Sequence, residues 1–186
     1  MKKLSFIIMI MLLAASAQAQ MKLGGITLPA TLPAGKEQLL LNGGGVREKY
    51  FMDMYVGGLY LLQKSQDENK IMSADELMGV RLQIVSGMIT SDKMVEAVNE
   101  GFKNSTNGNT APIQPKISRF IGVFQEKIAE GDIYDLIYIP SKGVAIFKNG
   151  KLKETIEGLE FKKALFGIWL SSRPADTDLK KGMLGK

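Results

Sequence analysis

The chain has 186 residues, with 24 basic against 19 acidic side chains and neither histidine nor cysteine. Without histidine or cysteine there is no ordinary zinc centre, no disulfide and no Ser-His-Asp chemistry. Two of the lysines fall in the first three residues, leaving 22 basic against 19 acidic, a balance that carries no basic stripe of the kind nucleic acid requires.

Residues 1–19 read as a signal peptide: Lys2 and Lys3, an apolar run over 4–15, and the small-residue pair Ala17 and Ala19 flanking Gln18. The expectation is a secreted or periplasmic protein whose mature part, 20–186, is a single domain with no transmembrane segment. Residues 26–28 read as a short strand, with Pro29 and Pro33 as breakers, and 37–41 as a second strand. Asn42-Gly43-Gly44-Gly45 reads as a flexible link before a long strand over 46–63 that is apolar on both faces. The glycine run lacks the spacing of a phosphate loop and precedes a strand, not a helix.

Residues 63–76 are polar, with a short surface helix expected, and 80–85 alternate as a half-buried strand. Thr90-Ser91-Asp92 offers a helix cap, followed by Met94, Val95, Val98 and Phe102 at helical spacing. Ile113, Ile117, Phe120, Ile121 and Phe124 mark a second amphipathic helix. Residues 133–139, 144–148 and 151–156 form a meander whose Asn149-Gly150 turn is a type I′ signal. A helix over 159–170 buries Phe161, Leu165 and Ile168, and Asp176 caps a last short helix. Runs of strands and runs of helices predict an α+β fold with helices on one face of a mainly antiparallel sheet.

Among candidate groups, Glu126, Glu130, Asp132 and Asp135 read as solvated carboxylates, Lys162 and Lys163 as helix-surface residues, and Trp169 as core. Arg47 is different: one of four arginines, it enters an apolar strand, where a charge needs a partner. Strand alternation puts Arg47, Phe51, Asp53 and Tyr55 on one wall. Two readings follow, a carboxylate clamp made by Arg47 and Tyr55 or a structural bridge from Arg47 to Asp53 or another acid. Eight residues of unbroken strand would span about 26 Å, so the clamp requires a sharp turn between the two groups, with Glu48-Lys49 the polar spot for it.

Gly43 to Arg47 (G-x-G-V-R), then Tyr55-Val56-Gly57-Gly58-Leu59-Tyr60, resemble the core of the chalcone isomerase superfamily. Gly131-Asp132, Asn149-Gly150-Lys151 and Gly167-Ile168-Trp169-Leu170 with Pro174 resemble its bacterial, chalcone isomerase-like branch, over about 26–185. The resemblance implies an open-faced β-sandwich with a cleft between a large antiparallel sheet and its helices. Plant members cyclise chalcones with an arginine, a threonine and a tyrosine. Here the arginine falls on Arg47, the threonine position on Tyr55, and the tyrosine position on Thr90 or Met94, so two of three groups differ. Fatty-acid-binding members of the fold, with arginine and tyrosine, match better. The implied function is non-catalytic binding of a fatty acid or similar amphipathic carboxylate by Arg47, Tyr55, Phe51 and Met94, without cofactor or metal. The alternatives are an intramolecular lyase or isomerase, and a structural or partner-binding protein with a vestigial cleft.

Overall fold

The computed structural model describes residues 20–186, so the expected signal peptide lies outside the described residues. A hairpin of β1 (Met21–Leu23) and β2 (Ile26–Leu28) precedes a seven-stranded antiparallel sheet, in which β3 (Thr31–Ala34) to β9 (Lys151–Ile156) follow one another in chain order. Between them lie β4 (Glu37–Lys49), β5 (Met52–Leu61), β6 (Met78–Ile84), β7 (Ile133–Ile139) and β8 (Gly143–Lys148). The helices are α1 (Glu68–Ser73), α2 (Ser91–Ser105), α3 (Gln114–Gly122), α4 (Leu159–Leu170) and α5 (Thr177–Met183). This is the α+β fold expected from the order of elements, in the open-faced sandwich form that the family resemblance implies.

The helical layer packs on one sheet face through a raft of aromatic side chains. Phe102 of α2, Phe120 of α3 and Phe161 of α4 meet with ring centroids 5.6–6.0 Å apart, and Phe124 joins Phe120 at 5.2 Å. All four are at most 2 % exposed. The opposite face is covered over its first strands by the β1–β2 hairpin, where Leu28, Leu32, Leu39, Val56 and Tyr60 form a second cluster. That double coverage explains why β5 is apolar on both faces, with every residue from Met54 to Leu61 buried.

Two sequence expectations change in the region that positions the site. The stretch expected to be one strand over 46–63 is a hairpin. Lys49 pairs with Met52, and the loop residues Tyr50 and Phe51 have φ of 55° and 61°, the left-handed geometry of a type I′ turn. Periodicity misses this turn because neither residue is one that such turns favour. The glycines expected to be a flexible link instead lie inside β4, under α5. A Cβ on Gly43 would run into the Gly182 carbonyl oxygen, and one on Gly45 would come within 3.0 Å of Leu179 Cα. Backbone meets backbone there, which only glycine permits.

Lys162 is the third correction. It is fully buried in α4, and its ammonium donates to the carbonyls of Ile71, Met72 and Ala74 at 2.7, 3.0 and 2.8 Å. A cation at the end of α1 satisfies the carbonyls that the helix leaves open. Burial, with a smaller push from Lys163, brings its pKa down to about 8. We predict that Lys162→Ala costs about 3–5 kcal/mol, through a cavity and unpaired carbonyls, read by chemical denaturation. Because the folded pKa lies below the unfolded one, the unfolded chain holds the extra proton from about pH 8 to about 10.5. Stability of the wild type relative to Lys162→Met should therefore rise across that window.

The acids expected to be solvated are partly engaged as well. Asp135 on β7 takes a two-pronged contact from Arg81 on β6, at 2.7 and 2.8 Å. Asp132 holds Lys148 at 3.1 Å, Asn149 and the Ala129 amide.

Candidate functional site

The tight turn at Tyr50-Phe51 makes Arg47 and Tyr55 direct partners across the β4–β5 ladder. The 26 Å objection to a clamp vanishes with it. The ladder slips between Arg47 and Glu48, a bulge of the kind that re-aims side chains. The Arg47 guanidinium carbon sits 5.7 Å from the centroid of the Tyr55 ring.

Tyr55 is 3 % exposed, and its hydroxyl accepts a 2.9 Å hydrogen bond from Nε1 of Trp169, near the end of α4. An indole N–H only donates, so the phenol must accept there, and its own proton goes to no residue of the described chain. Burial raises the phenol's pKa, opposed by the Arg47 charge and the Trp169 hydrogen bond. Tyr55 is therefore a neutral donor at physiological pH. Trp169, expected as core, is both core and part of the site. The lone tryptophan in the Gly-Ile-Trp-Leu run was its only sequence signal.

Arg47 makes no ion pair among the described residues, with Asp53 or any other acid, and its Nε is buried without a hydrogen-bond partner. A buried N–H of a charged group left open is costly, so most such groups are paired. Arg47 and Tyr55 thus bring two unspent donors to one place.

That place is the inner end of a cleft of about 240 Å³ between the β4–β5 hairpin and α2. Thr90 caps α2 by accepting from the Lys93 amide, and Met94 follows in its first turn. Met54, Ile89, Met94 and Ala97 form the apolar walls, while Lys49, Lys93, Glu96 and Glu100 stand exposed at the rim. Beneath Arg47 and Tyr55 lie Val98, Phe120, Phe124, Ile168 and Trp169, leaving about 30 Å³. The structure therefore brings Arg47, Tyr55 and Met94 together. Phe51 does not join them: it sits at the turn tip, fully exposed, away from the cleft. Its assignment to the wall assumed one unbroken strand. Among the described residues no cluster of acids could hold a metal.

Residues 20–185 match the family described as chalcone isomerase-like. The chain belongs to that family. A fatty-acid binding protein of Arabidopsis thaliana has a similar fold, with TM-score 0.71 and 18 % identity over 89 % of this chain and 96 % of the other. No curated protein sequence matches the chain. In this chain Tyr55 is tied to α4 by Trp169, which makes the pair testable. We predict that Trp169→Phe costs about 1–2 kcal/mol by removing the donor to a buried phenol oxygen. A double-mutant cycle with Tyr55→Phe should return a coupling of about 0.5–1.5 kcal/mol.

Proposed function

We propose that this protein is exported to the periplasm, as residues 1–19 suggest, and binds a fatty acid or similar amphipathic carboxylate without transforming it. The observation that carries the reading is the open Nε–H of Arg47 beside a phenol whose proton is also unspent. A carboxylate is the simplest acceptor for both, since its two oxygens match a guanidinium edge and a hydroxyl. The methionine-rich walls suit an alkyl chain, each buried CH₂ contributing about 0.8 kcal/mol. The fatty-acid binding protein of similar fold is consistent with this ligand class.

An isomerase reading has less to draw on. Thr90 is exposed and is not among the residues that line the cleft, and Met94 has no proton to transfer. A vestigial cleft fits poorly with an arginine left unbridged.

Native mass spectrometry of the purified protein, together with calorimetric titration of fatty acids, tests the proposal. Bound carboxylate and an affinity loss of about 10- to 100-fold in Arg47→Ala are expected, the worth of a charge-assisted hydrogen bond. Equal affinity in wild type and Arg47→Ala would remove Arg47 from the site and the reading with it.

A further inference from the structure

Fold and head-group site leave open which carboxylate fits. We infer that the cleft is built for a short-chain amphipathic carboxylate, held head group innermost, and does not enclose a long acyl tail. This rests on the carboxylate reading above and adds a limit on length.

Three features set the limit. First, the way inward is closed. The Phe102, Phe120, Phe124 and Phe161 raft is at most 2 % exposed, and only about 30 Å³ lies below Arg47 and Tyr55. A tail running into the core would have to displace close-packed aromatic rings. Second, the space that exists lies outward, along α2, and amounts to about 240 Å³. At roughly 30 Å³ for each water-sized group, it holds roughly eight non-hydrogen atoms. The carboxyl group takes three of them.

Third, the outer end is charged. The exposed rim of the cleft carries Lys49, Lys93, Glu96 and Glu100, with Tyr50 and Met88 the exposed apolar side chains among them. An alkyl chain extending there would lie largely over hydrated ionic groups and would bury little apolar surface beyond Tyr50 and Met88. Ala97 is the smallest side chain shared by the cleft and the space beneath it, so enlarging it probes the depth. It lines both the cleft and the small space beneath Arg47, and it is only partly buried. A larger side chain there fills the cleft without entering the core.

The test is a calorimetric series of straight-chain carboxylates from four to sixteen carbons, on wild type and Ala97→Leu. In the wild type Kd should fall about fourfold per added CH₂ and level off between six and ten carbons. In Ala97→Leu, the levelling should come roughly three carbons earlier, the number of carbons the leucine adds. Circular dichroism spectra and melting curves establish that the variant is folded. A wild-type Kd that keeps falling through sixteen carbons would overturn the length limit while leaving the carboxylate reading intact. Levelling at the same length in both proteins would remove Ala97 and this cleft as the measure of the chain. Absence of binding by every member would overturn the carboxylate reading itself.

Discussion

Replacing Arg47 by methionine is expected to make the ligand-free protein more stable while removing its affinity for carboxylates. The two effects have one origin. Arg47 carries a charge into the edge of an apolar cleft, and its buried Nε has no acceptor there. Methionine keeps an unbranched stem of similar reach and takes away the desolvated N–H, which costs about 1–3 kcal/mol when left open. Met54 and Met94 line the same cleft, so a third, flexible thioether meets surroundings of its own kind. An increase of about 1 kcal/mol in unfolding free energy is expected by denaturant titration without ligand. Saturating carboxylate should raise the wild-type midpoint and leave that of Arg47→Met unchanged, since only a ligand that binds the folded state stabilises it. A structural ion-pair role would give the opposite sign, because breaking a bridge destabilises. A lower midpoint for ligand-free Arg47→Met would therefore return Arg47 to scaffolding.

Gly43→Ala is expected to produce the largest loss of stability of any substitution considered, about 3–6 kcal/mol. The new methyl group would enter the space of the Gly182 carbonyl and crowd Gly185 N and Met183 O, both 3.0 Å away. None of these is a flexible side chain that could swing aside. Strand and helix must separate, and α5 then loses the burial of Leu179 and Met183, each worth about 1.5–3 kcal/mol. Gly122→Ala is the control: it ends α3 with open space where its Cβ would lie, and should be neutral or stabilising by up to about 1 kcal/mol. Equal midpoints for the two variants in guanidinium would show that α5 is not clamped to β4.

Much of the architecture is legible in the sequence because it rests on local signals. Asp67, Thr90 and Asp176 cap α1, α2 and α5 through their own side chains. Asn149-Gly150 makes the β8–β9 turn with both residues at positive φ. What the sequence hides depends on distant partners. Tyr50-Phe51 turns the chain although neither residue favours positive φ, so the hairpin is imposed by pairing of the long flanking strands. Gly43 to Gly45 resemble a linker until a helix some 140 residues later is laid across them. Lys162 resembles a solvated lysine until the end of α1 surrounds it.

The site divides in the same way. Arg47 stood out as a charge in an apolar strand, and Tyr55 became its partner once the chain turned. The same turn that unites them carries Phe51 to its exposed tip. Trp169 could not be assigned from spacing, because its role is set by a contact with a residue 114 positions away.

The α5 clamp has a kinetic side too. Asn42, five residues before Arg47, donates to the Met183 carbonyl at 2.8 Å, closing a loop of 141 residues. Contacts so distant in sequence slow folding, since the loop must lose its entropy before they form. During synthesis the strand that carries Arg47 must wait for nearly the whole chain before α5 can cover it. Until then the β4 backbone around Gly43 to Gly45 is open on that face, and the first half of the sheet folds without its C-terminal cover.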